Sequence, residues 1–538
     1  MPQEPFSVKS LDPNSVFGFK SSDLAYWCNP KKFQEFIQNL PELAAIPDQI
    51  QHKKNTYKNR AVLSDILKRQ YDSLPHELIT ASQLDKISSE NCFTICCAHQ
   101  PCLFTGPGYF IFKILSTIKW AQQINKAFPD YHFIPVYYCG SEDHDVEEIN
   151  HVTIYNHALK WDSTIKGPVG RIPASGIEDV IAKIKDIFSR EETAGDFDDF
   201  LASFQLEGMS YGWFTKRLIH HLFSEFGLLI FDPDDTDAKI AFKEVMKKEI
   251  EDFLIFKTSQ RTIQKLKSFP FEIQANPREI NLFYFSSIHS RERIILEGVE
   301  YKTTEGFHIA NKTDISSFLD KNPEHFSPNV LLRPLYQESI LPNIVFVGGG
   351  AEVSYWMQLK EVFDSQQISF PILARRCSGV IIDKSLNNKI QKFEFKAEEF
   401  LQEYSIVERL FINRVSHSKD EIQNQLQQIE IALKSISETG GQIETSLKNS
   451  LAADFSKLMK DIHHSLNKIT KAEKLKYDVD LQKLANIYKQ LYPDLVLQER
   501  QQSLITYYIR YGRQFLSLIL ENIHPEKPEV LLITQNSP

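Results

Sequence analysis

The chain has 538 residues, of which 42% are hydrophobic, and its 61 Lys and Arg against 70 Asp and Glu give a net charge of −9. This apolar content supports packed cores in about three or four domains and excludes a mainly disordered chain. The acidic balance argues against a nucleic-acid partner, which needs a basic face. We see no signal peptide and no membrane-length apolar run, and the seven cysteines lack scaffold-like spacing. We therefore expect a cytoplasmic protein with free thiols, without a membrane partner.

The first 385 residues alternate predicted strands and helices. Strands at 93–98 and 133–139 flank a helix over 109–126, which predicts a parallel βαβ unit. Further strands are predicted at 228–231, 344–347, 371–373 and 380–382. Helices around 213–226 and 238–266 and hairpin strands at 281–297 interrupt this pattern. The sequence predicts an α/β fold in which 1–150 and 331–385 form two halves of a doubly wound sheet and 151–330 is an insertion region.

The character of the sequence changes after residue 386, where glycine becomes rare. Apolar residues from Ile422 to Ile436 have heptad spacing, whereas those from Ile443 to Ile469 recur with a mean step near 3.7. Gly440-Gly441 separates the two stripes, so we predict an antiparallel helical hairpin over 386–495 that turns at these glycines. Residues 496–538 would return to the core. The longer returning arm must bury its stripe on helix 394–417, on the body of the chain or on a second subunit, and we favour a homodimer.

The loop after the first strand is a candidate anion site. Thr105 and Gly106 stand at the start of the predicted helix, where backbone N–H groups are free, and Lys113 lies one to two turns along. The alternative is an ordinary strand-to-helix connection in which Thr105 caps the helix. A functional role is favoured by position, because the loop follows the carboxyl end of a parallel strand.

A second candidate follows the second strand directly. The segment SEDHDVEEINH, residues 141–151, has five carboxylates and two histidines, which repel one another unless a cation lies near. A substrate amine, an arginine or a metal ion would serve. The segment lacks HExxH and paired-cysteine spacing, so we predict no metal. The alternative is a solvated acidic loop.

A third candidate spans residues 327–356. Arg333 could clamp a substrate carboxylate through two N–H groups. The run Gly348-Gly349-Gly350 follows a predicted strand and would let a ligand approach the backbone at a helix start. The alternative is a structural role for both features. Arg333 would then form an ion pair within the protein, and the glycines would form a turn.

Together these segments resemble a known family. In order, HQPCLFTGPGYFIFKI, PVYYCGSEDHDVEEINH, FSPNVLLRPLYQESILPNIVFVGGGAEVSYWMQLKEVF and LYPDLVLQER resemble the cysteine-adding enzyme of bacillithiol synthesis, the cysteine ligase family BshC. The resemblance covers the whole chain. It implies a Rossmann-like core related to class I aminoacyl-tRNA synthetases, connecting-peptide insertions, a long α-helical coiled coil and a homodimer.

The resemblance also implies a reaction, in which cysteine is joined to the amine of glucosaminyl-malate as an amide. This condensation is uphill in water, so the cysteine carboxyl would be activated by ATP or another nucleotide. The sequence itself identifies no nucleotide, because it has neither a GxxxxGK[ST] loop nor a KMSKS segment.

The resemblance assigns roles residue by residue. Asp143, His144 and Asp145 would orient the amine and take its proton. The residues that would bind substrate are Gln100, Thr105, Gly106, Lys113, Asn329, Arg333, Gln337, Gly348, Gly349, Glu352, Trp356 and Arg376. Cys377 departs from the Arg-Asn-Ser expected after Arg376, which leaves the role of that strand end open.

Two alternatives come from other classes of protein. A metal-dependent hydrolase would use the segment 142–151 as ligands. A non-catalytic coiled-coil scaffold would need only the region 386–495 and would tolerate changes in all three candidate segments.

Overall fold

A five-stranded parallel sheet lies at the centre of the computed structural model, which describes residues 5–536 except 73, 75–77, 164, 191–192, 194, 205, 270 and 416–418. The strands lie in the order Ile372–Arg375, Asn343–Gly348, Cys92–His99, His132–Cys139 and Leu229–Phe231. The direction of winding reverses between Cys92–His99 and Asn343–Gly348. A doubly wound sheet of this order opens a crevice at that point, outside the carboxyl ends of the strands.

The predicted βαβ unit is confirmed. Phe93 pairs with Phe133 in parallel register, and the helix Tyr109–Ala127 connects their two strands. Cys92–His99 is buried along its length as far as Ala98, as expected for a strand covered on both faces.

The described residues form three further sheets around the centre. An antiparallel sheet in the insertion region has the order His308–Asn311, Glu300–Thr303, Glu292–Glu297, Leu282–Tyr284 and Phe326–Pro328. His151–Ile154 and His157–Lys160 form a hairpin. The third sheet has the order Phe6–Leu11, Val530–Gln535 and Ser378–Ile382. The strand predicted at 380–382 therefore lies outside the central sheet, where it pairs with the strand near the end of the chain.

Helices cover both faces of the central sheet and fill the insertion region. Before residue 270 they are Ser21–Cys28, Ile46–Thr56, Arg60–Tyr71, Leu78–Lys86, Tyr109–Ala127, Val146–Ile149, Ile177–Phe188, Gly195–Ala202, Tyr211–Phe223, Thr236–Asp252 and Leu254–Leu266. After it they are Ile315–Lys321, Arg333–Ile340, Gly350–Met357, Lys360–Ser365, Lys384–Gln391, Tyr404–Val415, Lys419–Ile443, Thr445–Lys476, Asp478–Leu491, Ile505–Tyr511 and Arg513–Asn522. The helical stretch expected at 238–266 is broken at Phe253, whose φ is 57°.

The predicted helical hairpin is present, but it does not turn at the glycines. The helix Lys419–Ile443 runs through Gly440 and Gly441, and the next helix begins at Thr445. A Cβ atom on Gly440 would lie 2.6 Å from Cδ1 of Leu451 on the opposite arm. These glycines therefore permit close approach of the arms rather than the change of direction.

The returning arm is interrupted at Tyr477, and its last part, Asp478–Leu491, packs on the chain itself. The Tyr477 hydroxyl donates to the carbonyl of Val415 at 3.0 Å, and the Tyr404 hydroxyl donates to that of Leu481 at 3.2 Å. The excess length of this arm thus packs on the helix Tyr404–Val415, within the expected 394–417. Residues 416 and 417 of that expectation lie outside the described residues.

Six of the seven cysteines are buried and Cys28 is exposed; all are free thiols. In the described part of the chain, no helix is both long and apolar enough to cross a membrane.

Candidate active site

A cavity of about 790 Å³ lies in the crevice at the carboxyl ends of the parallel strands. All three candidate segments contribute to its wall, together with the antiparallel sheet of the insertion region. The predicted site residues that line it are Gln100, Lys113, Asp143, His144, Asn329, Arg333, Gly349, Glu352 and Arg376. The fold thus brings residues from distant parts of the sequence to the position where doubly wound sheets bind ligands.

The start of the helix Tyr109–Ala127 in the βαβ unit is covered by another part of the chain. The N–H of Gly108 donates to the carbonyl of Gln502 at 2.8 Å. Thr105 is buried, and its hydroxyl lies 3.5 Å from that of Ser503 instead of capping the helix. Thr105 and Gly106 therefore lie outside the cavity, and residues 502–504 occupy the place where the sequence predicted an anion.

Four other predicted residues also lie away from the cavity. Trp356 is in the core, where its ring stacks on Phe346 at 4.2 Å. Gln337 is buried behind the cavity wall, and Gly348 is the last residue of its strand. Asp145 is exposed before the short helix at 146–149 and makes no capping hydrogen bond. None of these four contributes to the lining among the described residues.

Lys113 and Glu352 join the two halves of the sheet beneath the cavity. The Lys113 Nζ donates to Glu352 Oε2 at 2.5 Å and to the Ala98 carbonyl at 3.0 Å. Glu352 also accepts the N–H of Gly349 at 2.8 Å. Burial raises the pKa of Glu352, but the Lys113 charge and the Gly349 N–H outweigh burial and hold this pKa below its ordinary value. Lys113 thus neutralises a carboxylate of the protein rather than presenting a free charge.

Arg333 presents its guanidinium to the cavity from the start of its helix. Nη1 donates to Gln337 Oε1 at 2.9 Å and Nη2 donates to the Tyr355 hydroxyl at 2.8 Å. The guanidinium also lies over the ring of Tyr138, 5.3 Å from its centre. Because these partners are neutral, the positive charge of Arg333 is available to an anionic substrate group.

A buried ion pair supports Arg333 from behind. Gln337 Nε2 donates to Glu338 Oε1 at 3.0 Å, and Lys53 Nζ donates to Glu338 Oε2 at 2.8 Å. Asn343 Nδ2 completes the set with a hydrogen bond of 2.8 Å to Glu338 Oε1. The Lys53 and Glu338 side chains are only 1% and 0% exposed, so the pair fixes the amide of Gln337 and through it the guanidinium.

Asn329 is fixed from both sides. Its Oδ1 accepts the N–H of Leu331 at 2.9 Å, and its Nδ2 donates to Asn281 Oδ1 at 2.9 Å. Asn281 in turn donates through N and Nδ2 to the buried carboxylate of Glu249, at 2.8 and 2.9 Å. Burial raises the pKa of Glu249 to about 7. A buried titratable group is thus linked by hydrogen bonds to a residue in the cavity wall.

Asp143 is held as an ionised acceptor. Gln100 Nε2 donates to Asp143 Oδ2 at 2.7 Å, and the N–H of His144 donates to Oδ1 at 2.7 Å. The Arg291 guanidinium lies 3.8 Å from Oδ1. Burial raises the pKa of Asp143, but Arg291 and Gln100 outweigh it and hold the pKa below its ordinary value. Asp143 therefore faces the cavity as a carboxylate.

His144 has a defined tautomer. Its Nδ1 lies 3.2 Å from Nη1 of Arg291, which can only donate, so Nδ1 accepts. Burial and the Arg291 charge lower the pKa of His144, which makes the neutral ring the dominant form near pH 7. The proton of a neutral ring whose Nδ1 accepts lies on Nε2. His144 thus has a donor available at Nε2, while the carboxylate of Asp143 remains an acceptor.

The acidic segment is neutralised by cations from the insertion region. Glu142 is buried against Lys239, whose Nζ lies 2.7 Å from Oε1, and Asp143 lies beside Arg291. The repulsion among the five carboxylates of this segment led us to expect a nearby cation, and Arg291 and Lys239 are the cations found there. Among the residues that the structure describes, no three His, Cys, Asp or Glu side chains form a group that could hold a metal ion.

Several arginines of the cavity wall are not among the site residues predicted from the sequence. Arg278, Arg291 and Arg293 come from the insertion region, and Arg500 comes from the segment after the hairpin. Arg291 packs on the ring of Phe283 at 4.0 Å and is almost fully buried. The run LYPDLVLQER, which carries part of the resemblance, ends at Arg500. That motif was the signal in the sequence that could have identified Arg500.

Two family models match the chain in succession. The model described as "Bacillithiol biosynthesis BshC, N-terminal Rossmann-like domain" matches residues 19–377. The model described as "Bacillithiol biosynthesis BshC, C-terminal coiled-coil domain" matches residues 379–535. The chain belongs to the BshC family. Membership confirms the predicted resemblance, the Rossmann-like core and the coiled-coil region.

Curated BshC relatives are similar over almost their whole length. The proteins named "Putative cysteine ligase BshC" from Flavobacterium psychrophilum and Flavobacterium johnsoniae are each 32% identical to this chain, over 92% and 95% of it and 93% and 96% of their own lengths. The protein of that name from Cytophaga hutchinsonii is 32% identical over 97% of both chains. A solved structure named as a putative arginyl-tRNA synthetase from Campylobacter jejuni has 11% identity and a TM-score of 0.20, and the match covers 80% of this chain and 91% of that one. BshC membership supports the predicted enzyme class, a ligase of bacillithiol biosynthesis, over the hydrolase and scaffold alternatives.

Proposed function

We propose that the chain forms the amide bond between cysteine and the amine of glucosaminyl-malate, after ATP or another nucleotide has activated the cysteine carboxyl. The donor is taken from the names of the relatives, and the acceptor from the resemblance of the sequence to the family. One observation carries the proposal. A single cavity holds an ionised acceptor, Asp143, and a guanidinium with only neutral partners, Arg333.

The geometry suits both reacting groups. Asp143 would accept a hydrogen bond from the substrate amine and direct its lone pair towards the activated carboxyl carbon. Because its pKa is low, Asp143 is a weak base, and we assign it orientation of the amine more than removal of its proton. The Nε2–H of His144 would donate to the carboxyl oxygen, on which negative charge develops as the C–N bond forms. The activating group would leave with the other carboxyl oxygen, and the proton that the amine loses would pass to that leaving group or to solvent.

Arg333 would hold a carboxylate, either of the malate portion or of cysteine before its activation. Its two terminal nitrogens are already fixed by Gln337 and Tyr355, so it needs little reorganisation to bind. Of the other predicted substrate-binding residues, we propose contact roles for Gln100 and Asn329, which line the cavity.

The proposal is tested with the purified full-length chain, cysteine, glucosaminyl-malate and a panel of nucleoside triphosphates, with mass spectrometry for the thiol amide. We expect product with at least one nucleotide, and a loss of about 100-fold in rate for Asp143→Asn because the amine would no longer be oriented. The matched control is Arg409→Gln, a change at an exposed arginine outside the cavity wall. Absence of product with every nucleotide would overturn the function. A normal rate for Asp143→Asn would overturn the assignment of the site.

We also infer that the chain acts as a homodimer through the helical hairpin. Ile436 and Ile443 are 53% and 78% exposed and lie seven residues apart on one face of its first arm, which a second copy could cover. Light scattering at micromolar concentration should give twice the chain mass, and Ile436→Glu with Ile443→Glu should give the monomer. A wild-type monomer would contradict this inference.

We place this reaction in the cytoplasm, where a nucleotide and cysteine are both available. Fractionation of cells that contain the chain should find it with cytoplasmic enzymes. Recovery outside the cytoplasm would contradict that placement.

A further inference from the structure

One end of the cavity carries an unbalanced positive charge. Three ion pairs lie around the start of the helix Gly350–Met357: Lys113 with Glu352 at 2.5 Å, Arg375 with Asp23 at 2.9 Å and Arg376 with Glu499 at 2.8 Å. Each pair is neutral overall. Arg500 lines the same end of the cavity, and its guanidinium makes no hydrogen bond or ion pair with any described residue. Its charge is left to solvent or to a ligand.

Arg376 adds a buried donor without a partner. Its terminal nitrogens donate to Glu499 and to the backbone, whereas the Nε–H has no acceptor although the side chain is only 3% exposed. A buried polar group left without a hydrogen-bond partner destabilises the fold. This Nε lies 3.9 Å from the position that a Cβ atom on Gly349 would take, which places it beside the helix start. A ligand at the helix start could supply its missing acceptor.

The helix start itself offers further donors. The N–H of Gly349 is satisfied by Glu352, but the next two N–H groups, of Gly350 and Ala351, lie in the first turn and have no acceptor within the helix. Both residues line the cavity. Free N–H groups at a helix start attract anions because they add to the positive end of the helix dipole. The Asp23 carboxylate lies against the Cβ side of Gly350, where Arg375 neutralises it.

We propose that the Nε–H of Arg376, the guanidinium of Arg500 and the N–H groups of Gly350 and Ala351 form a phosphate subsite. The inference rests on the proposed function, because the phosphate would belong to the activating nucleotide. It places that phosphate at the helix Gly350–Met357 and not in the loop 99–107, where the neighbouring helix start is covered by Gln502. A phosphate suits these donors better than a carboxylate, since its oxygens point in more directions.

The subsite joins the two family regions. The helix start and Arg376 lie within the Rossmann-like match, whereas Arg500 and Glu499, the partner of Arg376, lie within the coiled-coil match. The subsite is therefore complete only where the segment after the hairpin packs on the core.

The inference is tested by titrating the full-length chain with inorganic phosphate, pyrophosphate and ATP by calorimetry, without cysteine or glucosaminyl-malate. We expect Arg500→Gln to weaken phosphate or pyrophosphate binding about tenfold or more, and Arg500→Lys to weaken it less. Arg409→Gln is the matched control and should bind as the wild type does. Thermal melts without ligand show that each variant is folded.

Several results would overturn the subsite. One is equal affinity of Arg500→Gln and wild type for phosphate and pyrophosphate, or no binding by the wild type at millimolar concentration. Another is displacement of phosphate by acetate or malate at similar concentration, which would indicate a carboxylate site. Because the titration needs no turnover, Arg500-dependent phosphate binding without amide formation would overturn only the proposed function. Amide formation by Arg500→Gln with the wild-type KM for ATP would overturn only the subsite.

Discussion

Glu352 and Lys113 form an ion pair with an Nζ–Oε2 distance of 2.5 Å. The pair links the glycine turn Gly348-Gly349-Gly350, which follows one central strand, to the helix Tyr109–Ala127, which follows the central strand Cys92–His99. Lys113→Met would leave the Glu352 carboxylate unpaired in a largely buried position. Loss of one partner of a buried pair costs about 3–5 kcal/mol in unfolding free energy. Urea unfolding should show that loss at pH 7, and Glu352→Gln in the same chain should recover part of it.

The same pair has a predictable acid response. The folded-state pKa of Glu352 lies below its ordinary value of 4.5, so the stabilisation is present above pH 4.5 and is lost as the pH falls through the lower folded-state pKa. The difference in unfolding free energy between wild type and Lys113→Met should therefore shrink in acid. A difference that is constant from pH 7 to pH 3 would contradict this account of the pair.

The glycine turn offers a matched pair of substitutions. A Cβ atom on Gly350 would overlap the Asp23 carboxylate, whereas a Cβ atom on Gly349 would lie 3.4 Å from Glu352 Oε2. Asp23 is fixed by Arg375 and cannot easily move away. We expect Gly350→Ala to lower the unfolding free energy by about 1–3 kcal/mol and Gly349→Ala to lower it much less. Urea unfolding of the two variants checks this order, and the reverse order would refute it.

Tyr355 should contribute to substrate affinity by positioning Arg333. Tyr355→Phe removes the acceptor of the Arg333 Nη2 hydrogen bond and retains the ring. A hydrogen bond to a charged group contributes about 1.5–3 kcal/mol. We therefore expect kcat/KM to fall by roughly 10- to 100-fold for the substrate whose carboxylate binds Arg333. Tyr404→Phe removes a similar hydroxyl, which donates to Leu481 at the base of the hairpin, and should leave kcat/KM unchanged. Equal effects of the two changes would show that Tyr355 has no specific role.

Glu249 should make stability depend on pH. Burial raises its pKa from 4.5 to about 7, so the folded chain binds more protons than the unfolded chain between these values. Stability is therefore predicted to fall as the pH rises from 4.5 to 7, by about 3 kcal/mol from this group. Glu249→Gln should flatten that part of the profile of unfolding free energy against pH. Glu251→Gln, an exposed change on the same helix, should not. An unchanged slope in Glu249→Gln would exclude this titration.

The parts of the fold with a local signal could be predicted from sequence. The strands that contain Phe93 and Phe133 and the helix between them follow from periodicity and turn residues. The register of these strands and the place of the strand at 380–382 depend on partners far along the chain. That strand is predicted correctly as a strand, yet it pairs with Val530–Gln535 and not with the central sheet.

The candidate site shows the same division. The acidic segment around Asp143 and the turn at Gly349 could be located because both follow predicted strands. The contact of Gln502 with the helix start at Gly108 could not be predicted, because Gln502 is almost 400 residues away and lies in no motif that indicates the contact. Arg291 was not predicted for a related reason. The sequence around it has no motif that indicates its contact with Asp143 in the acidic segment.

The cavity is proposed to form an amide from an activated cysteine carboxyl. The most direct measurement supplies cysteine labelled with oxygen-18 at both carboxyl oxygens, together with glucosaminyl-malate and the active nucleotide, and analyses the products by mass spectrometry. We expect one labelled oxygen in the amide and the other in the phosphate or nucleotide product, with the transfer strongly reduced in Asp143→Asn. Amide formation with the second labelled oxygen released into water, or no amide at all, would contradict the proposal.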